Sequence, residues 1–338
     1  MKVSRSEEPY LGPTPTPPPL MKALLTGLGL GLAFLLAWLA LLSTGALTPG
    51  VEPPVTYRPA ANGTGLPPAA PPGLPQLVYP MDLSGDFSFA GEPLPMDNFD
   101  VRERLDLELM RNAYYHRNTL LLLKRRGRYF PTIERVLREE GLPDDLKYLA
   151  AAESTLTEAV SPAGAKGVWQ FMAPTARAYG LEVTDEVDER FHLEKATHAA
   201  AAYLKDYYRQ FGDWTKVAAA YNMGGPNLRR WLDRQRAEEL YDLDINGETM
   251  QYLFRIVALK TIMERPTEFG YHVDSTHLYP ALDTYRVVTI DRSQPNLGDF
   301  ARAQGSTYRM LKLYNPWLVS GSLTVRNGER YQVHLPAA

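Results

Sequence analysis

One acidic residue, Glu153, lies in a sequence context that favours acid chemistry. It follows the apolar run LKYLAAA at residues 146–152, and a glycine-containing loop comes shortly after it. Apolar neighbours and the negative end of a helix dipole both disfavour an ionised carboxyl group, so they raise its pKa. A carboxyl group that is still protonated near neutral pH can act as a general acid. We therefore take Glu153 as the candidate catalytic residue, although an isolated glutamate at a helix end is more often simply solvated.

The loop that follows, SPAGAKGVWQFM at residues 161–172, contains side chains suited to binding a sugar. Its glycines and its proline allow a tight turn back toward Glu153. Gln170 carries an amide that both donates and accepts hydrogen bonds, and Trp169 and Phe171 offer flat apolar faces. Considered alone, both rings are better interpreted as core residues than as a platform for a sugar.

The spacing of apolar residues predicts a mainly α-helical protein from Asp97 onward. The clearest helix covers residues 196–211 and stops at Gly212. Similar patterns predict helices near residues 101–125, 131–140, 144–154, 173–179, 214–222, 226–236 and 249–264. After Pro280 the pattern changes to a strand, two short helices and a closing strand, a β-α-α-β unit of about fifty residues that is small enough to need a neighbour to pack on.

The N-terminal third of the chain predicts a membrane anchor and a tether. Residues 1–20 form a Pro-rich tail, and residues 21–47 contain an uncharged apolar run long enough to span a bilayer. Basic residues before that run favour a cytoplasmic N-terminus, and a cleaved signal peptide is the competing interpretation. Residues 48–96 are rich in Pro and Gly and are expected to be a linker. The expected domains are then residues 97–280 and 281–338.

Composition excludes several classes of function. The 36 basic and 39 acidic residues give a net charge of −3, which argues against nucleic acid as a partner. The chain has no cysteine, so it has no disulfide, thiol nucleophile or cysteine metal site, and we expect neither a cofactor nor a metal. The acidic residues at 185–189 are expected to form a solvated loop, and the basic residues at 124–128 a solvated helix face.

Four segments, in this order, resemble the lysozyme-like lytic transglycosylases of glycoside hydrolase family 23, in particular the membrane-bound lytic murein transglycosylase D branch. The segments are REEGLPDDLKYLAAAES at 138–154, SPAGAKGVWQFMAPTARAYGL at 161–181, AAYNMGG at 219–225 and GETMQYL at 247–253. They cover about residues 100–270. The resemblance implies a helical lysozyme-like fold with Glu153 as its single catalytic acid.

The same resemblance implies a substrate and a mechanism. Members of this family cleave the β-1,4 bond between N-acetylmuramic acid and N-acetylglucosamine in the glycan strands of peptidoglycan, and they form a 1,6-anhydro ring without adding water. By alignment, the resemblance implies that Ser161, Gln170 and Met172 line the sugar subsites and that Tyr221 and Asn222 are placed near the acid. Tyr252 aligns with the tyrosine of the last motif and is also expected to bind substrate. With the anchor, the resemblance implies a single-pass protein of the cytoplasmic membrane whose catalytic domain lies in the periplasm or cell envelope.

The C-terminal unit resembles a degenerate LysM module, a fold that binds N-acetylglucosamine chains. Tyr314, Asn315 and Pro316 match its Asn-Pro region, whereas the sequence DRSQP at 291–295 replaces the usual Gly-Asp-Thr turn. Binding of glycan and simple packing on the catalytic domain both remain open for this unit. Two alternatives for the whole protein also remain: a hydrolase of goose-lysozyme type, and a non-catalytic scaffold that binds the cell wall.

Overall fold

The computed structural model describes residues 79–337 and shows a mainly α-helical protein with a small β-containing unit at its C-terminal end. The larger part contains strands β1 (Ser88–Phe89) and β2 (Glu92–Pro93) and helices α1 (Phe99–Ala113), α2 (His116–Glu139), α3 (Lys147–Ser154), α4 (Ala173–Ala178), α5 (Leu193–Phe211), α6 (Trp214–Met223), α7 (Gly225–Gln235) and α8 (Gly247–Glu264). The C-terminal unit contains β3 (Tyr285–Ile290), α9 (Leu297–Ala303), α10 (Tyr308–Tyr314) and β4 (Tyr331–Pro336). The predicted helical architecture and the closing β-α-α-β unit are confirmed.

Two of the predicted helices are wrong in their limits. The stretch predicted as one helix over 101–125 is broken at Tyr114 and Tyr115, and α2 then continues to Glu139 with Pro131 inside it. The glycine and proline at 127 and 131 suggested a break there. The helix persists because α2 buries an apolar face along its whole length, and this packing outweighs the weak local propensity.

Helix α8 occupies the centre of the helical part. It packs against α1, α3 and α6, and most of its side chains are buried on all sides, from Tyr252 to Met263. A helix that is apolar around its whole circumference is typical of a core position. Its N-terminus is fixed by the side chain of Asn246, which accepts a hydrogen bond from the backbone N–H of Thr249 at 3.0 Å. Any side chain that α8 presents to its neighbours therefore has a well-defined position.

The expectation that residues 48–96 form a linker is wrong at its C-terminal end. The described part of that stretch, residues 79–96, folds into the β1–β2 hairpin, and Phe87, Phe89 and Leu94 enter the core of the helical part. The carboxylate of Glu92 caps α6 by accepting hydrogen bonds from the backbone N–H groups of Trp214 and Thr215. A few large apolar residues were enough to pack here because the helices supply the rest of the core.

The C-terminal unit is a two-stranded antiparallel sheet covered by α9 and α10. The register pairs Tyr285 with Pro336 and Ile290 with Tyr331. Asn315, which is fully buried, fastens α10 to β4: its side-chain amide donates to the carbonyl of His334 at 2.6 Å and its oxygen accepts from the N–H of the same residue at 2.7 Å. The asparagine of the Asn-Pro pair thus has a structural role in this unit.

This unit packs on the segment before α5, as its small size predicted. The backbone N–H of Asp188 donates to the carbonyl of Trp317 at 2.8 Å, and that of Val319 donates to the carbonyl of Glu186 at 2.9 Å. The carboxylate of Glu186 accepts hydrogen bonds of 2.7 Å from the Ser322 hydroxyl and from a backbone N–H. Val187 belongs to the apolar core of the unit itself.

The acidic run at 185–189 is therefore not a solvated loop. Asp185 is exposed, but Asp188 is 2 % and Glu189 6 % exposed. Asp188 forms an ion pair with Arg190 at 2.7 Å and with Lys166 at 3.2 Å. The prediction failed because it considered the acidic residues alone and left out Arg190, which directly follows them, and Lys166, which is distant in sequence.

The basic run at 124–128 is also not a solvated helix face. Arg125, Arg126 and Arg128 donate hydrogen bonds to the carbonyls of Thr155, Met263 and Pro280 at 3.1, 2.7 and 3.1 Å, and the ammonium of Lys124 lies 5.0 Å from the centre of the Tyr279 ring. These half-buried side chains tie α2 to three other segments.

The predicted tail, membrane anchor and first part of the linker, residues 1–78, lie outside the described residues. Between residues 79 and 337, no helix has the length and apolar character needed to cross a membrane.

We expect Phe89→Ala to lower the free energy of unfolding by about 3 kcal/mol, because the ring is fully buried and its removal leaves a cavity. The matched control is Tyr79→Ala, where the side chain is 66 % exposed and a change within about 0.5 kcal/mol is expected. Urea denaturation of both variants measures this. Equal stabilities would show that residues 79–96 are a linker after all.

Candidate active site

Glu153 lies in the last turn of α3, a short helix that packs in the helical core. Tyr148, Leu149, Ala150 and Ala151 of this helix are buried, and the helix ends at Thr155, whose φ of 50° turns the chain sharply away. The carboxyl group of Glu153 faces α8, where its Oε1 accepts a hydrogen bond from the hydroxyl of Tyr252. Small residues before Glu153 allow α3 to approach α8 closely, which places this carboxyl group among protein atoms rather than in bulk water.

Burial raises the pKa of Glu153 from 4.5 to about 7. The hydrogen bond from Tyr252 and the positive charge of Arg255 oppose that shift, and the negative charge of Glu248 adds to it. These three residues lie on one face of α8, at positions separated by three or four residues. The predicted upward shift is confirmed, and its main cause is loss of solvent. Near neutral pH, Glu153 is thus present in both its protonated and its ionised form.

Two tyrosine hydroxyls lie close to this carboxyl group. Tyr252 is almost completely buried and donates to Glu153, which helps to raise the pKa of the tyrosine well above its ordinary value of 10, although burial is the larger cause. The pKa of Tyr221 on α6 is also well above 10, first because of burial and then because of the charge of Glu153. Its hydroxyl donates to the carbonyl of Trp169 at 2.6 Å. Both hydroxyls therefore remain neutral donors.

The loop from 155 to 172 folds back on itself through short antiparallel bridges at Val160, Lys166 and Phe171. Gly167 has a φ of 79°, and a Cβ at this position would lie 1.9 Å from the carbonyl oxygen of Arg190, so only glycine fits. The side-chain amide of Gln170 donates to the carbonyls of Ala159 and Gly167 at 3.0 and 2.8 Å. Gln170 itself has a φ of 49°, and these bonds offset the cost of that conformation.

The remaining predicted residues of this loop, Ser161 and Met172, have other surroundings. The hydroxyl of Ser161 accepts a hydrogen bond from the backbone N–H of Ala165 at 2.9 Å, and Met172 is 43 % exposed at the start of α4. Among the described residues, neither these two nor Gln170 is hydrogen-bonded to Glu153. Trp169 and Phe171 are core residues, as burial habits indicated, and the indole N–H of Trp169 donates to the Thr197 hydroxyl at 2.9 Å.

A buried ion pair supports the far side of the loop. The guanidinium of Arg190 pairs with Asp188 and donates to the carbonyls of Gly164 and Phe171 at 3.1 and 3.2 Å. Arg190 is 4 % exposed, so removing the Asp188 carboxylate would leave its guanidinium buried without an ion-pair partner. This ion pair links the loop near Glu153 to the segment on which the C-terminal unit packs.

Asn222 is placed at the end of α6, next to the start of α8. Its side-chain oxygen accepts a hydrogen bond from the Thr249 hydroxyl at 2.8 Å. Both residues line a polar cavity of about 400 Å³, together with Glu248, Arg230 and Trp231. A second cavity, of about 150 Å³, lies between the helical part and the C-terminal unit and includes His192, Trp317 and His334. None of the predicted site residues lines this second cavity.

Sequence reasoning missed the two charged residues of α8 that act on Glu153, Arg255 and Glu248. Their spacing from Tyr252 is the signal that would have found them, because residues three or four apart on a helix share a face. Arg255 is held in turn by Glu108 of α1, a fully buried carboxylate at 3.7 Å that also pairs with Arg111 at 2.6 Å. Across residues 79–337, no cluster of three or more His, Asp or Glu side chains is placed to hold a metal ion.

Comparison with known proteins finds a family match for each of the two parts of the chain. Residues 131–243 match the family described as Transglycosylase SLT domain, and residues 286–338 match the family described as Soluble lytic transglycosylase C-terminal LysM-like domain. The helical part thus contains an SLT domain. Glu153, its loop and Tyr221 lie within the matched residues, whereas Tyr252 on α8 lies beyond them. The helical lysozyme-like fold and the LysM-like C-terminal unit predicted from the sequence are confirmed.

Two curated proteins are similar to parts of this chain. Membrane-bound lytic murein transglycosylase D of Escherichia coli strain K12 is 28% identical over 255 residues, which is 72% of this chain and 54% of the relative. The chain therefore spans about half the length of that protein. Peptidoglycan transglycosylase gp16 of Escherichia phage T7 is 43% identical over 88 residues, 25% of this chain and 7% of the phage protein.

Two solved structures overlap with the chain in part. An inactive mutant of lytic transglycosylase Slt from Pseudomonas aeruginosa is 24% identical, with a TM-score of 0.35 over 45% of this chain and 26% of its own. The 70 kDa soluble lytic transglycosylase of Escherichia coli is 21% identical, with a TM-score of 0.34 over 45% and 27% of the two chains.

We expect Glu153→Gln to stabilise the protein at pH 8 and to leave its stability unchanged at pH 4. In the wild type, the folded state holds the proton more tightly than the unfolded state, so stability is lost as pH rises from 4.5 to about 7. Glutamine does not titrate and avoids this loss. We expect the substitution to raise the free energy of unfolding at pH 8 by about 2 kcal/mol. This is below the value that the full pKa shift would give, because the carboxyl group is not completely shielded from solvent.

The measurement is urea denaturation of both proteins between pH 4 and pH 8. Glu238→Gln is the control, since it removes the same charge from an exposed position without an ion pair in the described part of the chain. A pH-independent difference for Glu153→Gln would contradict burial as the cause of the raised pKa.

Proposed function

We propose that this protein is a peptidoglycan lytic transglycosylase that cleaves the β-1,4 bond between N-acetylmuramic acid and N-acetylglucosamine. The observation that carries the proposal is the half-buried carboxyl group of Glu153, whose pKa of about 7 suits it to exchange a proton in both directions near neutral pH. It lies in the residues that match the SLT domain, and the curated relatives are named as transglycosylases of murein or peptidoglycan.

In the first step, protonated Glu153 donates its proton to the oxygen of the glycosidic bond. The bond between that oxygen and C1 of the muramoyl residue breaks, N-acetylglucosamine leaves with a free hydroxyl, and positive charge develops at C1. The acetamide of the substrate stabilises this centre in place of a second carboxylate. Tyr252 stabilises the ionised Glu153 that results, because its hydroxyl donates to the carboxylate.

In the second step, the carboxylate of Glu153 removes the proton from the C6 hydroxyl of the same muramoyl residue. The C6 oxygen then bonds to C1, which closes the 1,6-anhydro ring and restores protonated Glu153 without consuming water. A pKa near the working pH serves both steps, because the group has to give up a proton and then take one back.

The loop and α6 supply the proposed sugar subsites. Met172 is an exposed apolar side chain next to the loop, and Gln170 and Ser161 fix the shape of that loop through hydrogen bonds to its backbone. Asn222 lines the polar cavity of about 400 Å³ beside α8. We assign Tyr221 and Tyr252 to the immediate surroundings of the acid. The LysM-like unit is proposed to contact the same glycan strands.

We further propose that residues 21–47 anchor the protein in the cytoplasmic membrane and that the SLT domain works in the periplasm or cell envelope. The uncharged apolar run and the basic residues that precede it support this arrangement. The D-type relative from Escherichia coli is named as membrane-bound, which is consistent with it.

The decisive test is mass analysis of the fragments released from purified cell-wall sacculi. The wild type is expected to release muropeptides lighter by one water than hydrolysis products, and Glu153→Gln is expected to lower the rate by at least about a thousandfold. Ordinary reducing ends would show a hydrolase instead, for which Glu248, whose charge acts on Glu153, is a candidate base. Binding without turnover by either form would show a non-catalytic scaffold.

We expect Arg255→Gln to shift the alkaline limb of the pH profile of kcat/KM to higher pH. Arg255 lowers the pKa of Glu153, so its removal leaves Glu153 protonated over a wider range. Arg255→Lys is the matched control because it keeps the positive charge while losing the guanidinium. If the alkaline limb of the profile moves equally in both variants, or in neither, the charge of Arg255 does not set the pKa of Glu153.

A further inference from the structure

Helix α7 and the residue after it carry four exposed arginines on the surface of the SLT domain. Arg229, Arg230, Arg234 and Arg236 occur within eight residues and line an open groove of about 640 Å³, which contains one acidic side chain, Asp233. This concentration of positive charge is local, since the whole chain has a net charge of −3.

None of these four arginines makes an ion pair with any residue between 79 and 337. Their guanidinium groups are held in other ways. Those of Arg229 and Arg234 lie over the rings of Phe211 and Trp231 at 5.9 and 5.2 Å, and Arg230 donates to the side-chain oxygen of Asn227 at 2.6 Å.

This arrangement is unfavourable for the helix by itself. Arg230 and Arg234 are four residues apart, so their like charges face each other on the surface of α7. Elsewhere in the described chain, exposed arginines such as Arg209 and Arg302 pair with an aspartate three residues before them. These guanidinium groups repel one another and have no carboxylate partner in the described part of the chain. They are therefore suited to bind a ligand that carries carboxylates.

The groove is connected to the surroundings of Glu153. Arg230 lines both the groove and the polar cavity that contains Asn222 and Glu248. Asn222 follows Tyr221 on α6, and Glu248 lies one turn before Tyr252 on α8. A polymer held with a scissile bond at Glu153 can therefore extend a substituent past Arg230 into the groove.

We propose that the α7 arginine groove binds the carboxylates of the peptide stems on the glycan strand that is being cleaved. This inference rests on the proposed transglycosylase function. Peptide stems carry several carboxylates beyond the sugar, and guanidinium groups bind carboxylates through paired hydrogen bonds. The groove is concave and shares Arg230 with the polar cavity that Asn222 and Glu248 line, which favours a flexible substituent of the substrate over the flat, extended surface of anionic lipids.

The test compares natural peptidoglycan with the same material after its carboxyl groups have been converted to neutral amides by carbodiimide and methylamine. The full-length double variant Arg230→Gln, Arg234→Gln is expected to lose about tenfold in kcat/KM on natural peptidoglycan, mostly through KM, and to equal the wild type on the amidated material. The control, Arg265→Gln with Arg302→Gln, removes the same charge from surface ion pairs and is expected to match the wild type on both substrates.

Two results would overturn the proposal: an equal loss on both substrates, or no loss on either. A wild type without turnover would refute the transglycosylase function but not the groove. Binding of natural and amidated peptidoglycan by full-length Glu153→Gln, with and without the two arginine substitutions, tests the groove without turnover. The double arginine variant is also tested for binding to phosphatidylglycerol vesicles relative to phosphatidylcholine vesicles. If it loses this binding while its peptidoglycan binding is unchanged, the groove is assigned to lipid headgroups and the inference is contradicted.

Discussion

The carboxyl group of Glu153 is partly shielded from water, and the packing of the surrounding helices causes this shielding. Small residues in α3 allow it to lie close to α8, and α8 is buried on all sides, so Tyr252 meets the carboxyl group from a fixed position. Burial raises the pKa of this carboxyl group, whereas the hydrogen bond from Tyr252 and the charge of Arg255 lower it. The balance lies near neutral pH, which is what a group that acts first as acid and then as base requires.

The same segment of chain supports the site from two sides. Residues 186–190 pair with the LysM-like unit through backbone hydrogen bonds, and Arg190 in this segment holds the carbonyls of Gly164 and Phe171 in the loop beside Glu153. The Asp188–Arg190 pair is buried, so the connection is rigid. Whatever else the C-terminal unit binds, it contributes to the position of the loop that borders the proposed sugar subsites.

The sequence predicted those features that depend on local pattern or on a motif. Amphipathic spacing located most helices, and the apolar run before Glu153 indicated a raised pKa. Features that depend on distant partners were not predictable: Phe89 packs in a core supplied by later helices, and Asp188 pairs with Lys166 of the preceding loop as well as with the adjacent Arg190. Likewise, nothing local in α8 shows that Arg255 is held by Glu108 of α1. Composition describes a segment, whereas burial depends on what the rest of the chain brings to it.

The central claim is that the fold holds the proton of Glu153 near neutral pH, and the most direct measurement is a titration of its side-chain carboxyl carbon by NMR. Protein labelled with ¹³C at the glutamate δ-carbon is titrated from pH 4 to pH 9, and Glu153→Gln identifies the resonance. The account predicts a midpoint of about 7. A midpoint at the ordinary value of 4.5 would contradict it, because the carboxyl group would then be ionised and unable to act as an acid at neutral pH.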